Sequence, residues 1–237
     1  MHHHRIDAGL FQGLKELRLR NWKPLSIDPS EIDAVVLTHA HLDHCGYLPR
    51  LVKDGFRGKV HLTNFTAKLA EVVLRDSARI QTEDAKYAAK KGYSKHAIPL
   101  PLYNVEDTEA AIKLFKRVKF HARTQVAPDA WVTWFPSGHI LGSSFVVLEI
   151  GNKKILFTGD MGRNNHPLLS NPDAAPQEVM DAVLTESTYG DRTHDAKPED
   201  FARELNDAIA RGGSILIPAF AVDRTEVILM ALRDLME

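Results

Sequence analysis

The stretch Val35-Val36-Leu37-Thr38-His39-Ala40-His41-Leu42-Asp43-His44-Cys45 runs an apolar segment straight into three histidines and an aspartate within six positions. Metals such as zinc take imidazole nitrogen and carboxylate oxygen in a compact shell, and a catalytic shell keeps one position open. In an extended loop, residues two apart project to the same side. His39 and His41 can then grip one ion together, while Asp43 and His44 turn toward a neighbouring one. A lone loop histidine is usually solvated, but four ligand-type residues at H-x-H-x-D-H spacing read as a metal-binding loop.

Outward from this loop, short apolar runs predict strands at Ala34 to Leu37, Lys59 to Leu62, Trp131 to Phe135, Phe145 to Ile150, Lys154 to Phe157, Ala182 to Leu184 and Ser214 to Ile217. Helical spacing falls between them. From Phe65 to about Lys90 it places Leu69, Val72, Val73 and Ile80 on one face, with Asn64 as N-cap, and it recurs over Val105 to Phe115 and Pro198 to Arg211. Strands alternating with helices define an α/β class. Gly162 to Gln177, rich in Asn and Pro, reads as a long surface excursion. Asp223-Arg224-Thr225-Glu226 starts a last helix whose apolar face, Val227, Ala231 and Leu235, continues uncapped to Glu237 and reads as a segment of a longer chain.

Three strands end alike: Val36-Leu37-Thr38 before His39, Leu156-Phe157-Thr158 before Gly159-Asp160, and Val183-Leu184-Thr185 before Glu186. Ser137-Gly138-His139 follows a fourth. In α/β folds ligands bind past the carboxyl ends of strands, so these ends are expected to meet at one rim. Taken singly, His139 and Asp160 are equally well turn residues, and Glu186 could pair with Arg192.

With 237 residues the chain can bury a sizeable core, and 30 Lys and Arg against 31 Asp and Glu leave no global positive field. A polyanionic substrate would therefore need a local site. The single cysteine, Cys45, excludes an internal disulfide and reads as a small packing residue. No apolar run suits a membrane span and no signal peptide is recognisable, which gives a cytoplasmic expectation. His2, His3 and His4 are expected to precede any structured element, and His61, His96, His121, His166 and His194 to be surface or structural. Lys90-Lys91 and Lys113, Lys116, Arg117 and Lys119 read as solvated helix faces.

The series His39-x-His41-x-Asp43-His44, Gly138-His139 and Thr158-Gly159-Asp160 resembles the ligand set of the metallo-β-lactamase superfamily. Glu186-Ser187-Thr188-Tyr189-Gly190 and Pro218-Ala219-Phe220-Ala221-Val222-Asp223-Arg224 resemble its β-CASP branch of RNA- and DNA-processing nucleases. The resemblance runs from Ile6-Asp7-Ala8-Gly9 to the end and implies an αββα sandwich over residues 1–190, with the beginning of an inserted β-CASP domain over 191–237. It assigns His39, His41 and His139 to one zinc, Asp43 and His44 to a second, and Asp160 to both. It makes Asp7 a support for the histidine loop and gives Asp43 and Glu186 catalytic roles, Asp43 orienting the nucleophile and Glu186 a histidine near the leaving group.

The implied function is a ribonuclease-type phosphodiesterase using a hydroxide bridged by two zincs. Single-stranded DNA is the alternative polymer, and homo-oligomerisation is left open. In the family a first strand precedes the Asp7 segment and later histidines complete the second zinc shell and donate the leaving-group proton. None of these is recognisable here, so the resemblance also implies an incomplete second site and weak or absent turnover. The competing readings are a generic ester, lactone or thioester hydrolase and a catalytically silent metal-binding module.

Overall fold

A computed structural model describes residues 3–92, 98–191 and 198–236. They form two compact units, Met1–Thr185 and Glu186–Glu237. The first unit holds a parallel sheet in the order β1 (His3–Ile6), β2 (Ile32–Val36), β3 (Lys59–Thr63), β4 (Phe115–Val118). A second sheet follows in the order β5 (Thr124–Ala127), β6 (Ala130–Pro136), β7 (Ser144–Ile150), β8 (Lys153–Phe157), β9 (Ala182–Leu184), antiparallel except for the β8–β9 pair. The helices of this unit are α1 (Lys15–Arg18), α2 (Leu42–Cys45), α3 (Leu48–Lys53), α4 (Asn64–Lys91) and α5 (Val105–Ile112). The second unit holds α6 (Pro198–Arg211) and α7 (Arg224–Met236). The class is the α/β sandwich expected from the sequence. No described helix is long and apolar enough to cross a membrane.

The core lies between the sheets. Val36 from β2 meets Ala130, Val132 and Trp134 from β6 and Val146 and Leu148 from β7. β6 buries alternate residues, as a one-sided antiparallel strand should, whereas Ala34, Val35 and Val36 are all buried because β2 is covered on both faces. Two buried tyrosine and serine hydroxyls, of Tyr103 and Ser77, satisfy each other at 2.8 Å behind the first sheet.

Several elements differ from the sequence reading. His3 and His4, expected to precede structure, lie on β1, because the apolar β2 offers an edge for parallel pairing. Thr63, not Asn64, caps α4: its hydroxyl accepts the Thr66 N–H at 3.3 Å. α4 buries Ala67, Ala70, Leu74 and Ala78, while Val72 and Ile80 are exposed. A 28-residue helix offers more than one apolar stripe, and the small-residue stripe allows the closest approach to the sheet.

α5 stops at Ile112, since Phe115 pairs with Val60 in β4. Lys116 and Arg117 therefore sit on an edge strand, where charge discourages further pairing, rather than on a helix. Ser214 to Ile217 carries no strand among the described residues, with Leu216 92% exposed; an apolar run becomes a strand only where a partner completes its ladder. His96 and His194 lie outside the described residues.

His61 is buried in β3, 2% exposed, with no hydrogen-bond partner for Nδ1 among the described residues. Burial, helped by the Lys116 charge, pushes its pKa down to about 4. Between pH 6.5 and about 4 the unfolded chain takes up a proton that the folded chain refuses, so this contribution to stability is complete above 6.5 and is lost as pH falls. Urea unfolding at pH 7 and pH 4.5 should show a drop of about 2 kcal/mol from this group. His61→Gln should remove that part of the acid slope.

Candidate metal centre

The metal loop begins where β2 ends, and the second sheet fixes that end. Trp134 Nε1 donates to Leu37 O at 3.1 Å, and Ser144 donates to Thr38 O through both N and Oγ, at 2.9 and 2.8 Å. His39 and His41 lie outside any helix, and His41 has extended backbone angles, φ −68° and ψ 149°. Asp43 and His44 do not: Leu42–Cys45 closes one helical turn, with Cys45 N bonding His41 O at 2.8 Å. The turn sets Asp43 and His44 by helical rotation rather than by strand alternation, and it brings the His44 ring to 4.0 Å from the His39 ring, centroid to centroid. Cys45 is buried, its Sγ 3.3 Å from Ala40 O, and burial pushes its thiol pKa upward, as befits a packing residue.

Asp7 follows β1 with φ 57°, held by its N–H to Val36 O. Its carboxylate accepts from Thr38 N and Thr38 Oγ1, both at 2.8 Å, and meets His44 Nδ1 at 2.7 Å. Gly9 lies so close to the loop that a Cβ there would come 1.5 Å from Asp43 O. The Asp7-Ala8-Gly9 segment is thus the floor of the histidine loop.

The second sheet contributes its ligands from strands that run in the same direction. After β6, the turn at His139 is organised by the buried Ser143, whose Oγ accepts from His139 N at 3.0 Å, Ile140 N at 3.1 Å and Ser137 Oγ at 2.9 Å. After β8, Gly159 adopts φ 52°, and a Cβ there would lie 2.7 Å from Thr38 Oγ1; this close approach places Asp160 over the loop. Gly162 N then donates to Ser137 O at 2.8 Å, tying the Asp160 segment to the His139 turn.

His39, His41, His139 and Asp160 each offer a ligand atom, all within 4.8 Å of one another. His41 Nδ1 stands 3.2 Å from His39 Nε2 and 3.1 Å from His139 Nε2. Asp160 Oδ2 faces His39 and His139 at 3.7 and 3.4 Å, while its Oδ1 faces His44 Nε2 at 3.2 Å. Asp43 Oδ2 lies 3.8 Å from His44 Nε2. One carboxylate therefore spans two adjacent groups of donors.

Thr38 was passed over in the sequence reading, although it closes the strand-end pattern. Its hydroxyl donates to Asp7 and so accepts from His39 Nδ1 at 3.0 Å, which leaves the Nε2 lone pair for the cluster. Burial, and then neighbouring imidazoles, hold His39 and His41 below the ordinary histidine pKa. Burial also opposes charge on His44, yet its bonds to Asp160 and Asp7 outweigh burial and raise it to about 10. Burial would raise Asp160, but the His44 hydrogen bond and the surrounding imidazoles bring it down to about 2.

Among the histidines set aside, His121 is exposed and meets Asp173 Oδ2 at 2.5 Å. Asp173 N donates to Pro136 O at 2.9 Å, so this contact holds the long loop after β8 on the second sheet. Glu186 belongs to the second unit, and Arg192 lies outside the described residues.

Residues 6–211 match the family model described as the metallo-beta-lactamase superfamily. The chain is 36% identical over 230 residues to Ribonuclease TTHA0252 of Thermus thermophilus, covering 96% of this chain and 48% of that protein. It is 31% identical over 234 residues to Cleavage and polyadenylation specificity factor 73 of Drosophila melanogaster, covering 97% and 32%. Against Transcription termination factor FttA of Methanocaldococcus jannaschii it is 28% identical over 237 residues, covering 97% and 35%. The chain spans about half the length of the first of these relatives and about a third of the others.

Asp7→Ala removes the acceptor of three hydrogen bonds and takes the carboxylate from His44 Nδ1. It should weaken metal binding about ten- to hundredfold in competition with a chromophoric chelator. Asp7→Asn, which keeps an acceptor without the charge, should fall between the two.

Proposed function

Starting from a chain that belongs to the metallo-β-lactamase superfamily, in its β-CASP nuclease branch, we propose a metal-dependent phosphodiesterase that cleaves RNA in the cytoplasm. The observation that carries this reading is Asp160, whose two oxygens face two adjacent donor groups. A pair of neighbouring cations suits the charge that develops on a phosphodiester during displacement.

The donors fit metal ions. Three imidazole nitrogens and a carboxylate oxygen converge at the first position, the chemistry zinc prefers, and we assign His39, His41, His139 and Asp160 to it. His44, Asp43 and Asp160 would hold a second ion. In their present arrangement the proton retained by His44 supplies positive charge between two carboxylates, so this position favours a cation. Bound ions would lower the pKa of water and neutralise charge on the phosphoryl oxygens.

The remaining work falls to this chain's own groups. Asp7 fixes the ring of His44, and Thr38 fixes the tautomer of His39. Asp43, half-exposed, is assigned to orient the attacking nucleophile. Glu186 is assigned to the leaving-group side, where it would orient a proton donor. We assign residues 1–190 to the metallo-β-lactamase core and 191–237 to the β-CASP domain. The relative named as a ribonuclease favours RNA as the polymer.

Zinc-loaded protein should cleave a single-stranded RNA oligonucleotide slowly, and His41→Ala should abolish that weak rate while losing metal from the first position, as read by metal analysis. Turnover of a chromogenic ester without RNA cleavage would replace this reading with a carbonyl hydrolase. Metal uptake with neither turnover would leave a binding module.

A further inference from the structure

We propose that Phe65, together with Lys68, forms a subsite that stacks one base of single-stranded RNA beside the metal-binding cluster. The proposal rests on the phosphodiesterase reading and names a further contact to its substrate.

Topology puts Phe65 at the rim. β2 and β3 are parallel neighbours with Val36 opposite His61, so both run out at the same edge of the sheet. There β2 leads into Thr38-His39, and β3 leads through Thr63 into Asn64-Phe65 at the start of α4. Adjacent strands lie only about 4.8 Å apart, which sets the first turn of α4 beside the histidine loop.

The other side of the cluster holds the same turn of helix. Thr63 Oγ1 and Thr66 Oγ1 both donate to Gly142 O at 2.7 Å, and Gly142 lies three residues after His139. Gly142 has φ 84°, and a Cβ there would come 2.4 Å from Thr66 N and 2.7 Å from Phe65 Cβ. The start of α4 is thereby locked between two ligand-bearing segments.

At this fixed position the chain leaves a large aromatic 44% exposed, with Leu141 47% exposed on the adjoining turn. Lys68 Nζ stands over the Phe65 ring, 5.5 Å from its centroid. A part-exposed aromatic ring beside a cation matches single-stranded RNA, whose bases stack on rings while its phosphates seek basic side chains. Neighbouring basic groups differ: Arg75 is committed to Glu109 and Arg117 to Glu71. Because the chain has no global positive charge, its attraction for a polyanion has to come from such local groups.

The test is fluorescence anisotropy with the zinc-loaded chain and two labelled probes of equal length, a phosphorothioate-linked oligoribonucleotide and its abasic counterpart. The wild-type chain should bind the base-bearing probe about five- to hundredfold more tightly. Phe65→Ala should lose most of that preference, Phe65→Trp should keep it, and Lys68→Ala should weaken both probes alike with a shallower salt dependence. A Phe65→Ala chain that retains the wild-type preference overturns the subsite and leaves the phosphodiesterase reading standing. A wild-type chain that binds neither probe overturns that reading, and the subsite with it.

Discussion

The carbonyls of Leu37 and Thr38 are the hinge between scaffold and site. Both lie at the end of β2 where the two sheets meet, and both are capped from the opposite sheet, by Trp134 and Ser144. Left unpaired in this buried place, each would cost about 1 to 3 kcal/mol. The same bonds that satisfy the strand end also set the distance between the sheets. His39 follows immediately on one side, and His139 and Asp160 arrive from strand ends on the other. Sheet packing and donor convergence are consequently one constraint.

Crowding four imidazoles and several carboxylates is costly unless their charges are arranged. Burial keeps His39 and His41 neutral, which preserves their lone pairs. Positive charge is favoured on His44, where Asp7 and Asp160 stand on either side. Thr38 extends this order outward by fixing the tautomer of the neutral His39, and Asp7 holds the ring of His44. The cluster is thus prepared for a cation by the groups behind it as much as by the donors themselves.

Glycine serves this arrangement at two contacts. Gly159 lets the Asp160 segment press onto Thr38, and Gly142 lets the His139 turn press onto α4. Any side chain at either position would push a donor-bearing segment away. The polar bonds of Ser143 then hold the His139 turn in shape from within.

Much of this was legible in the order of residues. Apolar runs ending in Thr marked β2, β8 and β9, and the H-x-H-x-D-H spacing marked the donors, because strand period and ligand chemistry both act over a few neighbouring residues. Other features depended on partners distant in the chain. β1 is a strand only because β2 accepts it, Ser214 to Ile217 is not one for want of a pair, and α4 buries its alanines because of what it packs against. The sequence by itself determined the donors, their spacing and the α/β class. Only the assembled fold settles which donor faces which, how Asp160 divides its two oxygens, and which carboxylates flank His44, since contacts in a buried cluster are set by distances that no local pattern encodes.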